Sequence, residues 1–140
     1  MLQRIQTVYL LFAVLCYTAM FILPIRTAFT NDSTGVSEPI MYLYHNGVLS
    51  ILAGLGILVA LITIFLYGNR RLQAMLALLG AFNAAGLLAL IGLGMSQHPE
   101  NIDHWGLGVI MPLFVLVFSL LAFRGIKRDD KLVRSADRLR

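Results

Sequence analysis

Charge is what this chain has least of. Only 13% of its 140 residues are Asp, Glu, Lys or Arg, against 59% hydrophobic. A soluble domain carries about 25% charged residues, so the deficit argues against an ordinary soluble fold and for a membrane protein. Cysteine is almost missing as well. With Cys16 alone, neither an intramolecular disulfide nor a CxxC redox pair can form. Its place within an apolar run reads as an inert small hydrophobe. There is no visible internal repeat, no glycine-rich phosphate loop after a strand, and no Ser, His and Asp set at a defined spacing.

What is there in abundance is long apolar sequence. Crossing about 30 Å of hydrocarbon takes roughly 20 predominantly apolar residues in a helix. Four segments qualify: Thr7 to Ile25, Gly47 to Tyr67, Leu72 to Met95, and Trp105 to Phe123. None contains Asp, Glu, Lys, Arg or His. The tight GNRR turn at 68 to 71 makes the second and third spans antiparallel neighbours. The expected architecture is therefore all-α: an integral membrane four-helix bundle over residues 1–124. The first run has a basic start, as a signal peptide would, but it is long and ends in LPIRTAF without a small-x-small cleavage site. It reads as a retained span.

The basic residues fix the orientation. With the N-terminus inside, the inner side collects Arg4, Arg70, Arg71, Arg124, Lys127, Arg128, Lys131, Arg134, Arg138 and Arg140. The outer side keeps only Arg26, alongside Asp32, Glu38, Glu100 and Asp103. Cytoplasmic loops concentrate Lys and Arg, which predicts both termini in the cytoplasm. Tyr9, Tyr42, Tyr44, Tyr67 and Trp105 fall near span ends, where an aromatic belt belongs. Pro24 and Pro112 sit near the outer ends of spans one and four, where a missing N–H costs little.

The absence of ionisable groups from the spans also bears on function. Ion-coupled transporters and pumps place such groups inside the bundle, and a membrane haem needs axial ligands at depth. His45, His98 and His104 all lie outside the spans. With Glu38, Glu100 and Asp103 they offer six potential metal ligands on the outer side, but their spacing matches no zinc motif and reads as solvated loop. No metal or cofactor is expected. The stretch VSEPIMYLYH is a candidate for a short strand or an interfacial segment over the bundle mouth.

Span three, LLGAFNAAGLLALIG, carries small residues four apart: Gly80 with Ala84, Ala81 with Ala85, and Ala85 with Ala89. Such a face lets another helix approach closely. Asn83, near mid-membrane, needs a partner, and an interhelical hydrogen bond of this kind contributes about 0.6–2 kcal/mol. Gly80, Asn83 and Ala84 are thus the expected helix-packing residues. They serve either internal packing, a partner or homo-oligomer interface, or a polar lining. Gly54, Gly56 and Ala60 give span two a similar face.

The tail GIKRDDKLVRSADRLR, residues 125–140, has nine charged residues in sixteen. On a helical wheel Lys127, Lys131, Arg134 and Arg138 share one face, with Leu132, Ala136 and Leu139 opposite. Asp130 with Arg134 and Arg134 with Asp137 have ion-pair spacing. The pattern predicts a short cytoplasmic amphipathic helix joined to span four at Gly125, a hinge candidate. Anionic lipid would contribute roughly 1 kcal/mol per basic residue near the surface. The mixed signs disfavour nucleic acid, because phosphate binding gains from unopposed cations. They suit a specific protein surface better.

The start MLQRIQTVYLL and the end KLVRSADRLR, separated by four spans, resemble a family of small integral membrane proteins of Bacteroidota, a domain of unknown function. The resemblance covers the whole chain. It implies a bacterial inner-membrane protein with both ends cytoplasmic, implies no activity, and marks the terminal stretch as part of a family signature. The reading reached here is a non-enzymatic accessory or assembly subunit. Lys131, Arg134, Asp137, Arg138 and Arg140 would form its contact surface for a membrane or cytoplasmic protein, with membrane lipids around it. Two alternatives stand beside it: a small transporter or lipid- or ligand-binding protein lined by Asn83, and a membrane enzyme using the outer histidines.

Overall fold

The computed structural model describes residues 3–25, 42–66, 68–96 and 106–137. Within them the chain forms four helices: α1 Gln3–Ile22, α2 Gly47–Phe65, α3 Arg70–Ser96 and α4 Met111–Asp137. All four are long and apolar enough to cross a membrane. At 1.5 Å per residue, α1 and α2 are about 30 Å long, while α3 and α4 reach about 40 Å.

Local chemistry sets where these helices stop. Pro24 stands two residues beyond Ile22, the last residue of α1, and a proline both lacks the N–H needed to continue the ladder and disfavours helical geometry in the residue before it, here Leu23. Asn46 caps α2, its Oδ1 accepting from the N–H groups of Val48 at 3.1 Å and Leu49 at 3.4 Å. Asn69 does the same for α3 through Leu72 N–H, at 3.3 Å. Those bonds satisfy helix-start donors that would otherwise lack partners. Pro112 sits in the first turn of α4, where its missing N–H is no loss.

The helices close into a ring in which α1 packs on α2 and α4, and α3 packs on α2 and α4. Small residues line the contacts. Ala13, Ala53, Ala77, Ala84 and Ala122 are buried, and they let the backbones approach closely without a hydrophobic force between helices in lipid. Larger side chains turn outward from all four helices, among them Phe12, Leu58, Phe82 and Leu113. An apolar exterior of this kind is what hydrocarbon solvates.

The end opposite the basic cluster is closed by backbone docking. Gly106 N–H donates to Ile25 C=O and Gly108 N–H to Pro24 C=O, both at 3.0 Å. A Cβ on Gly106 would overlap the Pro24 carbonyl, and one on Gly108 would crowd Leu23 and Pro24 oxygens. The sequence Gly106-Leu107-Gly108 therefore permits the chain leaving α1 to lie against the chain entering α4. Of the stretch read as a possible strand, residues 42–45 are described. Residues 43–45 make one 3-10 turn, with Leu43 fully buried and Tyr42 stacked on Tyr44 at 5.2 Å.

Candidate functional site

Two clusters of polar side chains stand out, one in the middle of the helices and one at the end where α1 begins and α4 finishes. In the first, Tyr17 on α1 donates its hydroxyl to Asn83 Oδ1 on α3 at 2.9 Å. Asn83 Nδ2 in turn donates to Leu52 C=O on α2 at 3.2 Å. One amide thus joins three helices, with its acceptor and one donor both used. The Tyr17 ring is almost completely buried and lies where a side chain at Gly56 would have to go. Ala84, fully buried, packs in the same core as Tyr17.

Gly80, one turn before Ala84, faces α4 instead: a Cβ there would meet Ser119 Oγ at 3.6 Å. Gly54 points into open space, whereas Gly56 receives the tyrosine ring. Ala85 and Ala89 are exposed. The small residues of α2 and α3 consequently divide among several neighbours and do not form one shared face.

Nearer the basic end, Gln73 on α3 donates to Thr63 C=O on α2 at 3.2 Å, and both side chains are buried. Thr63 donates its own hydroxyl back to Val59 C=O. Among the described residues no buried side-chain nitrogen or oxygen lacks a partner. That is the condition for polar groups to survive within hydrocarbon.

At the basic end α4 runs unbroken through Gly125 to Asp137, so Gly125 is not a hinge between two helices. It is a contact point, with Gln6 Cγ of α1 at 3.0 Å from where its Cβ would be. Ile126 follows, nearly completely buried. Arg70, in the first turn of α3, reaches Asp129 with Nη1 3.6 Å from a carboxylate oxygen and 3.3 Å from the main-chain oxygen. Lys127 lies 4.7 Å above the Phe123 ring, within cation–π range.

Two clefts flank this part of α4. One, of about 410 Å³, runs between α3 and α4 past Arg71, Met75, Phe123, Lys127 and Asp130. The other, of about 300 Å³, lies between α1 and α4 beside Gln6, Tyr9, Leu121, Arg124 and Arg128.

Of the expected contact residues in the tail, Lys131 is exposed, next to exposed Leu132 and Val133. Arg134 and Asp137 continue the helix, while Arg138 and Arg140 lie outside the described residues. On the opposite end, the His45 ring lies tilted against that of Tyr44 at 4.5 Å, and its Nδ1 accepts from Tyr42 N–H at 3.3 Å. His98, His104, Glu38, Glu100 and Asp103 lie outside the described residues. Among those described, no metal-ligand cluster forms.

Sequence reading missed Tyr17, Gln73 and Gly106, and it placed Gly56 on a packing face without its partner, the Tyr17 ring. A signal for the first was available: a tyrosine at the eleventh of nineteen positions in the run from Thr7 to Ile25 sits too deep for the interfacial belt and must find a partner.

A family model described as a domain of unknown function (DUF4293) matches residues 2–139, and the chain belongs to that family. No curated protein and no solved structure matches it.

Proposed function

We propose that this protein is a non-enzymatic accessory or assembly subunit of the bacterial inner membrane, with both termini cytoplasmic. Its contact surface for a protein partner is the far end of α4 from Lys131 onward. The observation that carries this reading is the continuity of α4. A helix of 27 residues exceeds a hydrocarbon core of about 30 Å by roughly 10 Å. Its projecting part is held to α3 at Arg70 and Asp129. The projection carries Lys131 beside exposed Leu132 and Val133, followed in sequence by Arg134, Arg138 and Arg140. Such a surface suits a partner that presents carboxylates around an apolar patch, with the charges setting register.

The interior supports this reading over a transport one. Asn83, the polar group deepest in the third span, is engaged by Tyr17 and by the Leu52 carbonyl, which leaves it little capacity to line a path.

Affinity capture from native membranes in mild detergent tests the proposal. Full-length protein is compared with a chain ending at Asp130, which keeps Ile126 and Asp129 in place. Specific copurifying proteins present with the full chain and lost with the shorter one support it. Partners that survive the truncation, or no specific partner in either sample, overturn it.

A further inference from the structure

We infer that the cleft between α1 and α4 is a binding site for the headgroup of an anionic phospholipid. The inference is separate from the tail-docking proposal, since it uses residues before Lys131.

The cleft sits at the junction of apolar and charged surface. Leu121 and Ile5 line its apolar side, and Arg124 and Arg128 line it one and two turns further along α4. Those arginines are four residues apart and both exposed, so their guanidinium groups share one side of the helix. Gly125 and Gln6 pack together beside them, and Tyr9 adds a phenol from α1. Planar guanidinium groups bind phosphate oxygens bidentately. Basic pockets between membrane helices at the headgroup level are suited to phospholipid headgroups.

Charge balance selects this cleft over its neighbour. Asp129 also lines it, but that carboxylate lies 3.6 Å from Arg70, so its charge is offset from the α3 side. Two arginines are left uncompensated by it. In the larger α3–α4 cleft, the acid Asp130 lies among the cations. There Lys127 is placed over Phe123 and Arg70 is turned to Asp129. The α1–α4 cleft thus has the stronger complementarity to a single phosphate, with an apolar margin for the first carbons of the acyl chains.

The test uses full-length protein stripped of lipid in mild detergent. Native mass spectrometry follows titrations with phosphatidylglycerol and with phosphatidylcholine of the same chain length. Thermal unfolding is followed in parallel with those lipids and with inorganic phosphate. The expected result is one tightly held phosphatidylglycerol, a Tm that rises with its concentration, and much weaker retention of phosphatidylcholine.

The double variant R124Q/R128Q should hold that lipid roughly 30-fold more weakly, at about fivefold per cation near the surface. R71Q/K127Q, which removes the same charge from the α3–α4 cleft, should hold it nearly as well as the parent. R124K/R128K keeps the charge and the fold but not the bidentate geometry, and should fall between. Equal binding of the two lipids, equal loss in both glutamine variants, or unchanged binding in R124Q/R128Q would overturn the assignment. A Tm rise of the same size with inorganic phosphate would reassign the site to a free anion and overturn the lipid. Should R124Q/R128Q not remain monodisperse, the lysine variant decides: parent-like affinity refutes the site, reduced affinity supports it.

Discussion

The hydroxyl of Tyr17 donates to the side-chain oxygen of Asn83 at 2.9 Å, across sixty-six positions of sequence and between the first and third helices. The same amide then donates to the main chain of the second helix. In hydrocarbon neither polar group has water as an alternative partner; among the described residues the Tyr17 hydroxyl has only the Gly80 carbonyl, at 3.4 Å, as a second acceptor.

Replacing Asn83 with Leu removes both interhelical bonds. Each is worth about 0.6–2 kcal/mol, and the expected loss is about 1–3 kcal/mol, measured as unfolding in detergent. Tyr17→Phe should cost less, since it leaves the Asn83–Leu52 bond in place and removes the hydroxyl's bond to Asn83 with its longer, 3.4 Å contact to Gly80 C=O. The double variant should cost less than the sum of the two, because the shared bond is already gone in N83L and only the longer Tyr17–Gly80 contact is left to lose. Strict additivity in that cycle would show that the two side chains do not act together.

Gly56 and Gly54 lie two residues apart on α2 and should respond oppositely to alanine. A Cβ at Gly56 falls inside contact distance of the buried Tyr17 ring, while nothing lies within 4 Å of one at Gly54. G56A should destabilise by about 1–3 kcal/mol, as overpacking does. G54A should be neutral or stabilise by up to about 1 kcal/mol, because alanine restricts the unfolded chain. Comparison of the two variants' unfolding midpoints is the check.

Much of the helix layout could be read from the sequence, because a run of about twenty residues without a charge has few other fates. The position of Asn83 was equally plain, since one amide in such a run must be partnered. Its actual partners were not. Tyr17 and the Leu52 carbonyl are reached only through packing of three helices, and no spacing rule relates positions 17, 52 and 83. The end of α4 was obscured by Gly125. Glycine costs a helix roughly 0.5–1 kcal/mol relative to alanine, which reads locally as a break. Here the missing side chain admits Gln6, and burial of Ile126 in the next position favours continuing the helix.

Gly106 tests the closed end opposite the basic cluster. A Cβ there would overlap the Pro24 carbonyl, a backbone atom that cannot rotate aside as a side chain can. G106A should therefore destabilise by about 1–3 kcal/mol and weaken the two backbone bonds from Gly106 and Gly108. Gly47, at the start of α2, has nothing within 4 Å and serves as the control. Faster amide exchange at Gly108 in G106A, with α2 unchanged, is the expected local signature.

Asp129 and Ile126 both hold the projecting part of α4, by different means, and their loss should look different. Asp129 is partly shielded and pairs with a more exposed Arg70. Pairs near a surface contribute at most about 1 kcal/mol, so D129N should barely move the unfolding midpoint. Its effect should be local: faster amide exchange from residue 127 onward, with α1 to α3 as protected as before. Ile126 is buried against the other helices, and I126A should cost about 2–4 kcal/mol for the whole protein, through lost packing and the cavity left behind. If D129N instead lowered global stability as far as I126A, the ion pair would be an integral part of the helix ring and not a strap on its projection. A chain cut at Gly125 loses both contacts together, which is why the partner-capture experiment must end its shorter chain after Asp130.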